Sequence, residues 1–265
     1  MKIFISADIE GIAGVSHWEE ASSKGQRYQE SRQLMTDEVV AACQGALNAG
    51  AEEIFVKDAH GSGRNIITSM LPEKVKIIRG WSGHPFGMMQ ELDNTFNAVM
   101  MIGYHSNTAS EANPLAHTFT LQIAHIKING ELGTEFLLNA FTASMVNIPV
   151  ALLSGDKAIC EAANAINQNI KTVAVVQGKG ESTISLSPRQ SCKIIEEGAS
   201  NALKSDFSKN SFDLPEYFEV EIKFSDPISA YRYSFYPGMK KGDSQTVVFE
   251  TDSYFDILRM LNFIR

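Results

Sequence analysis

The chain alternates between short apolar runs and longer amphipathic stretches. The first run, "KIFISA" at residues 2–7, sets Ile3 and Ile5 around Phe4 and predicts a buried strand. Further runs at residues 52–58 ("EEIFVKD"), 74–80 ("KVKIIRG"), 97–105 ("NAVMMIGYH"), 149–156 ("PVALLSGD") and 171–178 ("KTVAVVQG") read the same way. A helical pattern fills about 27 to 48 and stops at Gly50, and another follows "SGD" through "KAICEAANAINQ". Buried apolar strands separated by helices imply a parallel sheet covered on both faces. Residues 117–132 break the pattern: alternating positions around Asn129-Gly130 predict a hairpin, followed by a helix that starts near Thr134.

After about residue 180 the pattern changes. A helix is entered through Pro188, residues 217–224 ("YFEVEIKF") alternate as a half-solvated strand does, "SQTVVFET" reads as another strand, and "YFDILRMLNFI" as a closing helix. Between them "PISAYRYSFYPGMKKGD" is aromatic and reads as irregular. The expectation is an α/β protein with a three-layer, mostly parallel sheet and helices on both faces, plus a smaller C-terminal α+β unit. Residues 1–180 would form the metal-binding catalytic domain and 181–265 the smaller one.

With 265 residues, 44% of them hydrophobic, the chain can build one large core or two modest ones. Its net charge is −8 and it has no Lys/Arg cluster to neutralise a row of phosphates, which argues against a nucleic-acid partner. Cys43, Cys160 and Cys192 are scattered and contain no C-x-x-C pair, so they read as the reduced thiols of a cytoplasmic protein. The apolar run behind Met1 is too short for a signal peptide, and no run is long enough for a membrane span.

In open parallel sheets, sites lie beyond the carboxyl ends of the strands. The polar residues there are Asp8 and Glu10 in "SADIEG", Asp58 and His60 in "KDAHGSG", and His105 in "GYHSN". His117 in "LAHT" stands at the start of the expected hairpin, and Glu135 opens the helix after it. Asp8 and Glu10 aimed at one spot would repel each other unless a cation sits between them. Each residue alone has a blander reading: a lone Asp caps a helix, a lone His makes a hydrogen bond, and a Glu in a first helical turn favours the helix pole. Together they suit a zinc-like divalent ion, and a set this large suits two ions close together.

Other signals are weaker. His17, His84 and His125 lack a carboxylate partner at a strand end and read as structural or surface residues. "GKGEST" fails the phosphate-loop pattern, "GIAG" is not a dinucleotide fingerprint, and no G-x-S-x-G elbow exists. "GMMQEL" reads as packing.

The pieces "SADIEGIAG", "RYQESRQLMTDEV", "VKDAHGSGRN", "MMIGYHS", "LAHTF", "INGELGTEFLLNA" and "PVALLSGD" are collinear with one family. The chain resembles the D-aminopeptidases of peptidase family M55, first described in dipeptide-transport operons. The likeness runs to about residue 185 and resumes loosely near "FYPGMKKGDSQTVVF". The resemblance implies two Zn2+ per chain bridged by Asp8, with Glu10 and His105 on one ion and His60 and Glu135 on the other. It implies His117 as the catalytic histidine and a homodecamer of stacked five-membered rings. Aligning on "GEL" would select Glu131 in place of Glu135; the helix that follows favours Glu135.

The expected activity is hydrolysis of the N-terminal residue of short, D-residue-containing peptides such as D-Ala peptides, through a hydroxide held by two ions. The rival readings are a metal-dependent amidase of another small substrate and a non-catalytic dipeptide-binding protein.

Overall fold

The computed structural model describes residues 1–108 and 110–264. In chain order its elements are β1 (Lys2–Ala7), α1 (Trp18–Ala21), α2 (Tyr28–Asn48), β2 (Glu53–Asp58), β3 (Val75–Ile78), β4 (Ala98–Tyr104), β5 (Ile123–Ile128), β6 (Glu131–Leu132), α3 (Glu135–Met145), β7 (Val150–Asp156), α4 (Lys157–Ile166), β8 (Lys171–Lys179), β9 (Ser182–Ser185), α5 (Pro188–Lys204), β10 (Phe218–Phe224), α6 (Pro227–Tyr233), β11 (Met239–Lys241), β12 (Thr246–Thr251) and α7 (Tyr254–Ile264).

Seven strands form one sheet in the order β3-β2-β1-β4-β7-β8-β9, parallel except for the β8–β9 hairpin. Successive side chains of a strand face opposite ways, and β1 shows the result. Ile3, Ile5 and Ala7 enter one core with Val39 and Cys43 of α2 and Ile195 and Ala199 of α5. Phe4 enters the other, with Phe136 and Ala140 of α3 and Ile159 and Ala163 of α4. Helices therefore cover both faces, as expected of buried parallel strands.

A second, antiparallel sheet runs β11-β12-β10-β5-β6. Its core holds Ile126, Val220, Ile222 and Val247 with Ile257 and Leu261 of α7. Relative to residue 180, this sheet takes β5 and β6 from the N-terminal side, while α5 on the C-terminal side packs against the first sheet. Helix α3 serves both cores: Phe136, Ala140 and Ala143 face the first sheet, Leu137, Leu138 and Phe141 the second. A helix that is apolar all round is a buried helix, and this one fixes Glu135 at the junction of the two sheets.

The hairpin is narrower than its sequence pattern. Its strands begin at Ile123, and Asn129 and Gly130 make the turn with φ of 51° and 86°. His117 therefore lies in the irregular segment before the hairpin. The stretch read as irregular near the C-terminus contains α6 and β11. Asp226 caps α6 by accepting from Ser229 N, and Pro227 occupies the first turn. "GKGEST" is the β8–β9 hairpin turn.

The chain leaves β1 for β2 on one side and returns to β4 on the other. This reversal of winding opens a crevice at the carboxyl ends of β1, β2 and β4.

Candidate metal centre

Asp8, His60 and His105 follow the ends of β1, β2 and β4 and so reach the crevice from three adjacent strands. The loop after β1 packs backbone to backbone on the end of β4. Asp8 N donates to Ile102 O and Gly11 N to Gly103 O. A Cβ on Gly103, whose φ is +73°, would stand 2.3 Å from Asp8 O, and one on Gly11 1.9 Å from Tyr104 O, so only glycine fits at either place.

Asp58 does not reach the site. Its carboxylate accepts from Asn65 N (2.5 Å), Ile66 N (2.8 Å) and Asn65 Nδ2 (2.6 Å), and Asn65 Nδ2 also meets His60 O at 2.7 Å. It closes the loop that carries His60. Asp156, the last residue of β7, does the same for the other side. It caps α4 through Ile159 N and accepts from Ser106 N (2.6 Å), Ser106 Oγ (3.0 Å) and Asn113 Nδ2 (3.1 Å). Asn113 Nδ2 also donates to Glu10 O at 3.0 Å. Neither supporting aspartate was distinguishable by sequence from an ordinary strand-end residue; the signal they share is an Asp closing an apolar strand.

The six candidate residues converge. His60 Nδ1 lies 3.2 Å from Asp8 Oδ1 and 3.1 Å from Glu10 Oε2, without the alignment for a hydrogen bond to the latter. His105 Nε2 lies 3.5 Å from Asp8 Oδ2 and 3.7 Å from Glu135 Oε2; His117 Nε2 lies 3.9 Å from Glu135 Oε1. Asp8, Glu10 and His105 offer ligand atoms within 4.8 Å of one another, and so do His105, His117 and Glu135. For Glu135 the near imidazoles are thus His105 and His117, while His60 faces Asp8 and Glu10. Glu131 sits exposed on β6; Glu135 is buried, its Oε1 accepting from Phe119 N at 2.6 Å.

Each imidazole has one nitrogen on a backbone carbonyl: His60 Nε2 on Ala21 O (2.8 Å), His105 Nδ1 on Ser106 O (2.9 Å), His117 Nδ1 on Leu115 O (3.0 Å). A carbonyl only accepts, so these nitrogens carry the protons and the opposite nitrogens turn to the carboxylates, as in metal-ligating histidines. Both oxygens of Glu10 and Nε2 of His105 are buried and have no hydrogen-bond partner among the described residues. Buried polar atoms are rarely left so, and three buried carboxylates beside imidazole lone pairs fit a divalent cation of the zinc type.

The electrostatics without an ion show the same concentration of charge. Burial acts to raise the Asp8 pKa, but the adjoining imidazoles of His105 and His60 outweigh it and hold the group well below the ordinary range. Burial acts to lower His60 and His105, but the surrounding carboxylates outweigh it, lifting His60 well above its usual value and His105 to about 10. For Glu135 burial prevails over the pull of His105 and His117, and its pKa is raised. Asp8, Glu10, His60, His117 and Glu135 open into a cavity of about 420 Å³ whose walls include Trp18, Trp81, Met88, Phe119 and Leu121. That is a size for a small ligand.

The remaining histidines lie elsewhere. His17 caps α1, His84 Nδ1 accepts from Phe86 N, and His125 meets Glu221. Met88 and Met89 are buried in the core between the sheet and α3, and Met88 also touches the cavity.

Residues 1–263 match the family model of the peptidase M55 D-aminopeptidases. The D-aminopeptidase of Bacillus subtilis (strain 168) is 29% identical over 252 residues, covering 94% of this chain and 91% of the relative. A solved structure described as the Zn-dependent D-aminopeptidase DppA from Bacillus subtilis, a self-compartmentalizing protease, superposes with a TM-score of 0.94 at 26% identity, covering 100% of this chain and 96% of that one. The chain belongs to the M55 D-aminopeptidase family, and its class is that of the metallo-aminopeptidases, hydrolases of peptide bonds.

Proposed function

We propose that this chain is a zinc-dependent aminopeptidase that removes the N-terminal residue of short peptides, with a D-residue such as D-Ala preferred at that position. Asp8, Glu10, His60, His105 and Glu135 would hold two ions, with Asp8 between them. The observation that carries the reading is the set of imidazoles, each tied by one nitrogen to a carbonyl, turned toward three buried carboxylates of which that of Glu10 makes no hydrogen bond among the described residues. The closeness of Asp8, Glu10 and His105 supports placing those three on one ion. The resemblance puts His60 with Glu135 on the other; the contact of His60 with Glu10 instead speaks for its standing on the Glu10 side of Asp8.

Such ions, when bound, supply a water that ionises near neutral pH and a Lewis acid toward the scissile carbonyl. The protein supplies the rest. Asp8 sits between His60 and His105 and can reach both sides of the centre. His117 lines the cavity, and its Nε2, which bears the lone pair while Nδ1–H is held by Leu115 O, can take a proton from the attacking water and then pass it to the leaving amine or, as N–H, stabilise charge on the carbonyl oxygen.

The self-compartmentalizing habit of the structural relative supports a homo-oligomer, proposed as a decamer of stacked five-membered rings. Among the described residues no helix is long and apolar enough to cross a membrane. The free thiols Cys43, Cys160 and Cys192 support a cytoplasmic setting.

The test is a comparison of the zinc-loaded protein on D-alanyl dipeptides, their L-alanyl counterparts and simple amides. Turnover of the D-peptides is expected to dominate. Preference for the amides would make the protein an amidase, and peptide binding without cleavage would make it a binding protein.

A further inference from the structure

Lys57, in β2, is fully buried, and among the described residues no carboxylate lies within 4.0 Å of its ammonium. Burying an unpaired charge is costly, so the groups that receive it matter. They are Gly80 O, which accepts from Lys57 Nζ at 2.6 Å, and the Trp81 indole, whose centroid lies 3.9 Å from Nζ. A cation over an indole face is the strongest of the side-chain cation–π contacts.

Trp81 is in turn tied to the loop that carries His60. Its Nε1 donates to Gly61 O at 2.8 Å, and Gly80 N donates to Gly63 O at 2.8 Å. Trp81 and Gly61 both line the cavity over Asp8, Glu10, His60, His117 and Glu135, yet the Trp81 side chain remains 40% exposed. A large apolar ring kept open to the cavity, and fixed from behind by a buried ammonium, has the form of a binding wall.

We infer that Lys57 is a positioning residue for substrate: its ammonium holds the Trp81 indole as an apolar wall that receives an apolar side chain of the peptide. The inference rests on the peptidase reading above. It predicts that Lys57 and Trp81 contribute more to binding a peptide with a bulky apolar residue than to binding one with a small residue.

The test measures kcat, KM and zinc content for the full zinc-loaded chain on D-leucylglycine and D-alanylglycine. The variants are Lys57→Met, Trp81→Ala and the pair combined. Each single variant is expected to raise KM for D-leucylglycine roughly 3- to 30-fold, the range of one desolvated cation–π contact or one lost apolar contact. The rise for D-alanylglycine is expected to be smaller, with kcat and zinc content held, and the double variant no worse than Trp81→Ala, because both act through one wall.

Lys57→Gln, which can still donate to Gly80 O but carries no charge, is the second variant should Lys57→Met fail to fold, and the same rise is expected. Unchanged KM in a protein that still cleaves both peptides, an equal effect on both, or a fall in kcat together with zinc loss would overturn the wall and leave Lys57 a support of the His60 loop. Failure of the native zinc-loaded protein to cleave either peptide would remove the peptidase reading and the wall with it.

Discussion

His105 and His117 lie ring to ring, their imidazoles within 8° of parallel and 4.4 Å between centroids. Both turn Nε2 toward the Glu135 carboxylate, at 3.7 Å and 3.9 Å. They differ in setting. His105 is buried at a strand end, while His117 lines the cavity and packs edge-on against Trp18. The proposed function makes His105 a ligand and His117 a group that meets substrate.

That difference gives the first prediction. His117→Ala should keep its full metal content while kcat on a D-alanyl dipeptide falls roughly 10²- to 10⁴-fold, the range for losing acid–base help or one oxyanion partner. KM should change little. Loss of a metal equivalent would make His117 a ligand with His105 and Glu135; retained activity would reduce it to a hydrogen bond to Leu115 O.

Two glutamates four residues apart separate cleanly by setting. Glu135→Gln is expected to lower bound zinc, whereas Glu131→Gln, altering an exposed side chain on β6, should leave metal and turnover as they are. Elemental analysis of the two variants decides it, and the reverse pattern would move the ligand to Glu131.

Asp156 touches none of the candidate ligands, yet it holds Ser106 and Asn113, which in turn hold His105 Nδ1 and the Glu10 carbonyl. Asp156→Asn should weaken zinc binding about 10- to 100-fold, the usual cost of losing an outer hydrogen-bond partner. Competition with a chromogenic chelator measures it. Unchanged affinity would confine Asp156 to capping α4.

Glu38 is buried in α2, where Oε1 accepts from Ala13 N at 3.0 Å. Burial pushes its pKa up from 4.5 to about 7. Between those values the unfolded chain has released the proton and the folded chain keeps it. The unfolded state therefore binds fewer protons, and stability falls as pH rises through this window, then levels off. Urea unfolding at fixed protein concentration should show the native chain losing up to about 3 kcal/mol relative to Glu38→Gln between the two ends of the window. A difference independent of pH would refute the assignment.

Much of this was legible in the residues. The central strands β1, β4 and β7 are buried on both faces, so Phe4 and Ile5 both read as core, and such runs need no partner information to be recognised. Glu135 was placed by the helix that follows it, which is apolar all round. What escaped was set by tertiary contact or by short-range capping. The helix α6 hid in an aromatic stretch although Asp226 and Pro227 announce a start. His117 looked like a hairpin residue because alternation extends past the paired strands. The role of Asp156 depends on Asn113, which comes from another loop, and that of Asp58 on Asn65, further along its own loop. No spacing rule links Lys57 to Trp81, which meet only because β2 and β3 are adjacent.

The central claim is a centre of two zinc ions with Asp8 between them. Counting metal per chain in the purified protein and in Asp8→Asn tests it most directly. The account predicts two zinc ions in the native chain and loss of both, or nearly so, in Asp8→Asn, a larger loss than in Glu10→Gln. Two ions retained by Asp8→Asn, or a native chain that cleaves D-alanyl dipeptides with no bound metal, would contradict it.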